Sequence, residues 1–294
     1  MIKKLPVNLK GRDFVCGDIH GSFSRVQEFL KAVNFDKTHD RLISVGDIID
    51  RGPENEKCLD LLYEPWFHAV MGNHEFMMID AFMNVGSKYG ITWLAHGGMW
   101  ARDYVGEASD MGVFVRGCVE DVMSKLPLLI TVDLPHGKKF HVLHAEIYHT
   151  EPLTDDDFAD EYMLKQLATR QTYDGDFILW GRKNFIRLFD KPLDTRTIEK
   201  FKTSLKLENK ELPVIFNDKL SHIYSGHTII RQPVQFYGQT NLDTMAYGSY
   251  SSPSRYGLEP APKWCGLTVT EPFSGRFWLV NDSGAVETKQ LIIS

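Results

Sequence analysis

Phe14-Val15-Cys16-Gly17-Asp18-Ile19-His20-Gly21 is the stretch that sets the architecture. Three apolar residues end at a glycine, and an aspartate and a histidine stand in the turn that follows. Beyond that turn Phe23, Val26, Leu30 and Val33 recur at helical spacing, so residues 23–33 are expected to lay one apolar face on a sheet. The pattern then repeats. Leu42-Ile43-Ser44-Val45 closes at Gly46, and Pro53 suits the start of a helix carrying Leu59, Leu61 and Leu62. Phe67 to Met71 forms a third apolar run, closed by Gly72. Strands alternating with helices at this rhythm predict β-α-β units and a parallel or mixed sheet.

Residues 76–125 read as mainly helical, broken at Gly97-Gly98, with Met77, Met78, Phe82, Trp93 and Trp100 taken as core. Strands follow at Leu128–Val132, Phe140–Leu143, His222–Tyr224, Leu267–Val269 and Phe277–Val280. Helices first and strands later predict an α/β fold: two mixed sheets in a sandwich flanked by helices, as one domain over 1–294. Two stretches read as surface insertions, the charged run at 190–219 and the Gly/Ser/Pro/Tyr-rich loop at 247–263.

Composition narrows the class. At 294 residues with 43% hydrophobic and 24% charged residues, the chain can bury a substantial core. A net charge of −6 without a basic run argues against a nucleic-acid partner. The four cysteines include no C-x-x-C pair, which disfavours a disulfide framework or a thiolate zinc site. No apolar segment follows the early lysines as a signal peptide would, and none approaches a membrane span. A reducing cytoplasm is the expected location. Oligomeric state is not legible.

Four blocks share one layout, a strand, a glycine and then a metal-capable side chain. They are Gly17-Asp18-Ile19-His20-Gly21, Gly46-Asp47-Ile48-Ile49-Asp50-Arg51-Gly52, Gly72-Asn73-His74-Glu75 and Gly226-His227-Thr228. Leu143-His144-Ala145 is a fifth candidate without the glycine. Ligands of α/β sheets gather beyond the carboxyl ends of strands, so such blocks on neighbouring strands converge. Asp18, His20, Asp47, Asn73, His144 and His227 offer two carboxylates, an amide oxygen and three imidazoles. That exceeds what one tetrahedral ion needs and suits two divalent ions bridged by Asp47. The mixed nitrogen and oxygen donors favour manganese, iron or zinc over magnesium or calcium.

Such a pair lowers the pKa of water toward about 7, polarises phosphoryl oxygens and aligns an in-line attack. Two dications against Asp18, Asp47 and a hydroxide leave about +1, which Arg51 and Arg182 raise to roughly +3. An acidic protein can therefore attract a phosphate dianion locally. Arg51, inside the second block, is the stronger clamp candidate. His74 follows Asn73 and is assigned as the general acid for the leaving alkoxide, with Asp50 orienting it.

These blocks resemble the calcineurin-like metallophosphoesterases, and among them the phosphoprotein phosphatase family with its G-D-x-H-G, G-D-x-x-D-R-G and G-N-H-E signatures. The similarity is strongest to the branch of bacteriophage lambda and bacterial Ser/Thr protein phosphatases. It extends to Leu42–Arg51, Pro65–Val70, Gly72–Asp80, Gly97-Gly98, Leu126–Leu129 and Leu242–Thr244, within roughly 12–270. The resemblance implies a β-sandwich flanked by helices and one-step hydrolysis by metal-bound water, commonly with manganese. It implies a phosphorylated protein or peptide as partner, and a bacterial or phage origin. It carries the six ligands over, gives Arg51 and Arg182 to the substrate phosphate, and makes Asp50–His74 the acid pair; Asn73 is a further candidate for contact with that phosphate. The sequence departs at Ala145-Glu146, where relatives often have glycine or aspartate after the alanine. It departs again at 247–263, which separates Asp243-Thr244 from the strand that usually follows closely.

Each block alone has a plainer reading as a polar turn, a surface ion pair or a capped helix start. Their recurrence in order behind a glycine makes joint coincidence a poor account. His39, His68, His96, His136, His141, His149 and His222 have no such block and read as surface or satisfied core residues. His149 keeps a pocket-lining option through its nearness to His144. Glu75 reads as a helix-start residue rather than a ligand, and Cys16 as a buried strand residue. The functional expectation is a Ser/Thr protein phosphatase. A symmetrical dinucleoside polyphosphate hydrolase or small-molecule phosphatase is the alternative, and a phosphate-binding regulator without catalysis the rival from another class.

Overall fold

The computed structural model describes residues 2–104, 110–147, 151–159, 177–182, 184–208, 216–248 and 262–293. In chain order its strands are β1 (Ile2–Leu5), β2 (Asp13–Cys16), β3 (Arg41–Ser44), β4 (Phe67–Ala69), β5 (Leu129–Asp133), β6 (Lys139–Val142) and β7 (His222–Ser225). They continue with β8 (Val234–Phe236), β9 (Gln239–Asn241), β10 (Leu267–Glu271), β11 (Arg276–Asn281), β12 (Gly284–Thr288) and β13 (Leu291–Ile293). One sheet runs β12-β11-β10-β2-β3-β4 and the other β1-β5-β6-β7-β9-β8-β13. Helices are α1 (Phe23–Ala32), α2 (Asn55–Asp60), α3 (Asn73–Met83), α4 (Lys88–Ala95), α5 (Asp110–Gly117), α6 (Phe177–Trp180) and α7 (Thr195–Glu208). Among the described residues no helix is long and apolar enough to cross a membrane.

Side-chain alternation explains the layers. In β2, Phe14 and Cys16 join the core under α1 to α5, whereas Val15 points between the sheets. In β7, Tyr224 faces inward to that middle layer and Ile223 faces the opposite, outer core. The middle layer takes Val15, Ile43, Val45, Ile130, Val142 and Tyr224 from both sheets, which makes the expected α/β sandwich. Strands buried on both faces lose the clean polar alternation, and this is why they appear as apolar runs.

Several boundaries move. The helix expected from Pro53 begins at Asn55, because Asn55 first closes the preceding turn. Its Oδ1 accepts the Asp50 amide at 2.7 Å and its Nδ2 donates to the Gly52 carbonyl at 2.8 Å. Five strands carried no readable signal. β1, β12 and β13 lie at sheet ends or beside them and are partly exposed, and β8 and β9 are three residues long.

The 190–219 stretch, expected to be a surface insertion, carries a packed helix. Its α7 buries Phe201 against Phe236, with ring centroids 5.2 Å apart, and helps cover the outer face of the second sheet. Its charged residues hid an amphipathic helix. Residues 209–215 of that stretch, 249–261 of the second loop and His149 lie outside the described residues.

Candidate active site

Parallel strands bring the blocks to one end of the molecule. β2, β3 and β4 are parallel neighbours, so the turns carrying Asp18 and His20, Asp47 to Arg51, and Asn73 and His74 open at the same sheet edge. β6, β7 and β9 are likewise parallel and deliver His144, His227 and Asp243. Tight left-handed turns aim the side chains inward. His20, Asp47, Asp50, Arg51 and His227 all have positive φ, between 46° and 74°. Each such non-glycine turn costs of order 1–3 kcal/mol, a strain that clusters at functional sites. Gly226 lets the two sheets meet, since a Cβ there would lie 1.9 Å from Asp18 Oδ1.

Two groups form around a shared carboxylate. His20, Asp47 and His74 bring one ligand atom each within 4.8 Å of one another, and Asp47, His144 and His227 do the same. Asp47 Oδ2 lies 3.5 Å from His20 Nε2, and Oδ1 lies 3.4 Å from His144 Nε2. Asp47 therefore stands where a bridging ligand would. Asp18 falls outside both groups, beside them, where it accepts the His227 amide on both oxygens at 3.1 Å.

The donor atoms call for cations. His144 Nδ1 donates to the Val45 carbonyl at 2.8 Å, and His20 Nδ1 to the Ile49 carbonyl at 2.9 Å. Burial keeps both rings neutral by lowering their pKa, so each Nε2 carries a lone pair. His144 Nε2 points that lone pair at Asn73 Oδ1 (2.9 Å) and Asp47 Oδ1 (3.4 Å), with the His227 ring beside it. His227 Nε2 is buried with no hydrogen-bond partner among the described residues. Acceptors packed on acceptors repel one another, and divalent ions among them would turn that repulsion into coordination. The residues fit a metal pair.

Charge says the same. Burial, then Asp243 and Asp47, push the Asp18 carboxyl well above its usual range, and burial lifts Asp243 to about 6. Carboxyls this crowded favour a cation over bulk water as their counterion. Glu75, raised to about 8 by burial and then Asp47, has another task. It sits in the first turn of α3, as its helix-start reading expects. Its Oε2 accepts the amides of Asp47 (2.8 Å) and Gly72 (2.9 Å), and its Oε1 accepts that of Ile48 (2.8 Å). One carboxyl thus ties the β3 and β4 turns together.

Beside the groups sits the Asp50–His74 pair. His74 Nδ1 donates to Asp50 Oδ2 at 2.6 Å, with both residues buried. Arg51 reaches over the site, Nη1 at 2.8 Å from His20 Nε2 and Nη2 at 2.9 Å from His74 Nε2. Tyr247 lies against Arg51 and His20, its hydroxyl accepting from Arg51 Nη1 at 3.2 Å. Arg182 Nη1 donates to the His227 carbonyl at 2.7 Å, at the other side of the same centre. Glu146, a point of departure in the sequence, is buried and accepts the Asn184 amide, which pins the segment bearing Arg182.

Every residue singled out for the site converges here, although Asp18 stands beside the two groups and His74 within one of them. Sequence reading gave Glu75 no more than a helix start and Trp93 and Trp100 no more than core packing, and it left Tyr247 in an insertion. Asp243 was visible only through the similarity at Leu242–Thr244. Of the histidines set aside, His141 is satisfied by Thr131 and Asp155, His222 by Thr240, and His68 by Lys3.

The model of the family described as calcineurin-like phosphoesterase matches residues 14–231. The chain belongs to that family. It is an enzyme of the metal-dependent phosphoesterase type, and the His/Asp groups lie within the matched span. Serine/threonine-protein phosphatase 1 of Salmonella typhimurium is 30% identical over 236 residues, covering 79% of this chain and 86% of that protein. A symmetrical bis(5'-nucleosyl)-tetraphosphatase of Actinobacillus pleuropneumoniae is 32% identical over 74 residues, covering 24% of this chain and 27% of that protein. A solved protein serine/threonine phosphatase from Saccharomyces cerevisiae shares the fold. Its TM-score is 0.52 at 17% identity, covering 100% of this chain and 82% of that one.

Proposed function

We propose that this chain is a dinuclear phosphomonoesterase that removes phosphate from phosphoserine and phosphothreonine in proteins. The observation that carries the reading is the buried Asp50–His74 pair, joined at 2.6 Å beside two donor groups that share Asp47. Asp18, His20 and Asp47 would hold one cation, and Asp47, Asn73, His144 and His227 the other. Manganese suits the mixed donors, with iron or zinc as close competitors. Bound there, the cations supply Lewis-acid charge and an activated water. His74 takes the acid role rather than a ligand's because its Nδ1 pairs with the buried Asp50 carboxylate, whereas His20 Nδ1 pairs with a neutral backbone carbonyl.

This chain's own residues do the rest. Arg51 exchanges the weak acceptors His20 and His74 for a phosphate oxygen, with Arg182 and the Asn73 amide beside it. Release of Arg51 frees His74 Nε2 to carry the proton that passes to the leaving oxygen as the P–O bond breaks. Asp50 fixes the ring that donates it. Likeness over 79% of this chain and 86% of a bacterial protein phosphatase supports a protein substrate, whereas the sequence likeness to the Actinobacillus pleuropneumoniae tetraphosphatase spans under a third of either chain. We further propose one domain over 1–294 and a cytoplasmic location.

Purified protein loaded with manganese should cleave a phosphoserine peptide faster than diadenosine tetraphosphate. The reverse order would move the assignment to the dinucleotide hydrolases. His74→Asn should keep its metal and lose about 10²–10⁴ in turnover, while Asp47→Asn should lose metal. Equal metal loss in both would remove His74 from the acid role.

A further inference from the structure

Asp50 is fully buried, and three N–H groups converge on its carboxylate. Trp100 Nε1 donates to Oδ1 at 2.6 Å, Trp93 Nε1 to Oδ2 at 2.7 Å, and His74 Nδ1 to the same Oδ2 at 2.6 Å. Both oxygens are held, so the carboxylate cannot rotate without breaking an indole bond. Its backbone is held too, by the Asn55 side chain at a φ of +74°. A core position needing bulk alone would be served by phenylalanine or leucine. Two indoles aimed at one carboxylate are a polar device.

The glycine pair between the two tryptophans serves the same end. A Cβ on Gly98 would lie 2.2 Å from Trp93 Cε2 and 2.6 Å from its Nε1, within the space the indole now fills. Gly97, at φ +128°, passes so close that a Cβ would lie 3.0 Å from the Arg51 amide and 3.2 Å from Asp50 Cβ. The break at Gly97-Gly98 thus lets the α4 segment and the turn after it press both rings onto the Asp50–Arg51 turn.

We propose that Trp93 and Trp100 are positioning residues for the general acid: they lock the Asp50 carboxylate, and through it the His74 ring, on the line of the leaving oxygen. This rests on the reading of His74 as that acid. An indole clamp of this kind matters where the leaving group needs a proton and little where it does not. Cleavage of a phosphoserine peptide leaves a strongly basic alkoxide that needs a proton, whereas p-nitrophenyl phosphate expels p-nitrophenolate, a weak base that departs without one.

The experiment compares Trp100→Phe, Trp93→Phe and His74→Asn in the manganese-loaded enzyme on both substrates. Loss of one indole bond should lower kcat on the phosphopeptide by about tenfold with KM unchanged, and leave the aryl phosphate within about twofold. Trp100→Phe added to His74→Asn should cost nothing further. Equal slowing on both substrates, or additive losses in the double variant, would overturn the proposal. A His74→Asn variant that slows both substrates equally would instead sink the acid role, and the clamp with it. Metal-free protein gives a reading that needs no turnover and no tryptophan variant. Asp50→Asn should shift two indole N–H resonances in the ¹H–¹⁵N spectrum, and two unmoved resonances would refute the contact.

Discussion

Gly226→Ala probes the convergence of the two sheets with a single methyl group. The added Cβ would sit 1.9 Å from Asp18 Oδ1 and 2.7 Å from Val45 Cγ2, whereas real Cβ contacts stay beyond 3.0 Å. Val45 is in the packed layer between the sheets, so Asp18 has to give way. Retreat breaks its two 3.1 Å bonds from the His227 amide, and hydrogen bonds to a charged group contribute about 1.5–3 kcal/mol. That converts to manganese affinity weaker by roughly 10- to 100-fold. Displacement of about 1 Å at the centre should add a loss of around 10² in turnover. Overpacking itself costs about 1–3 kcal/mol, so circular dichroism should first establish that the variant is folded. Calorimetric titration of manganese into chelator-stripped protein then reads the affinity. A folded Gly226→Ala with wild-type affinity and turnover would show that Asp18 and His227 do not act together.

Gly117→Ala should raise urea stability by about 0.5–1 kcal/mol, because Gly117 has helical φ/ψ and open space around its Cβ direction. An unchanged or lower unfolding midpoint would contradict that geometry. Phe201→Ala should cost about 3–5 kcal/mol in the same assay, since the ring is 1% exposed and packed on Phe236. A loss under about 0.5 kcal/mol would return α7 to the status of a surface appendage. Burial lowers His222 to about 4. Between the ordinary histidine value of about 6.5 and that value, only the unfolded chain takes up the proton, so its contribution to stability falls with pH across this window and levels off below it. His222→Gln should flatten the acid limb of the stability curve, and an unaltered limb would assign the effect to other groups.

The turn chemistry was legible because it is local. A strand, a glycine and a polar residue follow one another along the chain, and parallel pairing of β2, β3 and β4 then places all three turns at one edge. Residue type alone also singled out the candidate donors, since carboxylates, imidazoles and an amide in glycine turns are a poor way to build a surface. The α7 helix is hard to read from sequence for the opposite reason. Its high charge disguised the few apolar positions that pack on the second sheet.

What the sequence decided by itself is the set of carboxylates, imidazoles and guanidinium groups proposed to hold metal and phosphate, and the alternating strand order that sends them to one end. Only the folded chain decided their division of labour. Asp47 faces both donor groups, Glu75 straps two turns together, and Trp93 and Trp100 turn from packing residues into donors for Asp50. Those roles depend on which atoms meet across separations of tens to hundreds of residues, and on left-handed turns held by tertiary contacts. Nothing in local propensity encodes such meetings, because each has a favourable energy only after the other elements are in place.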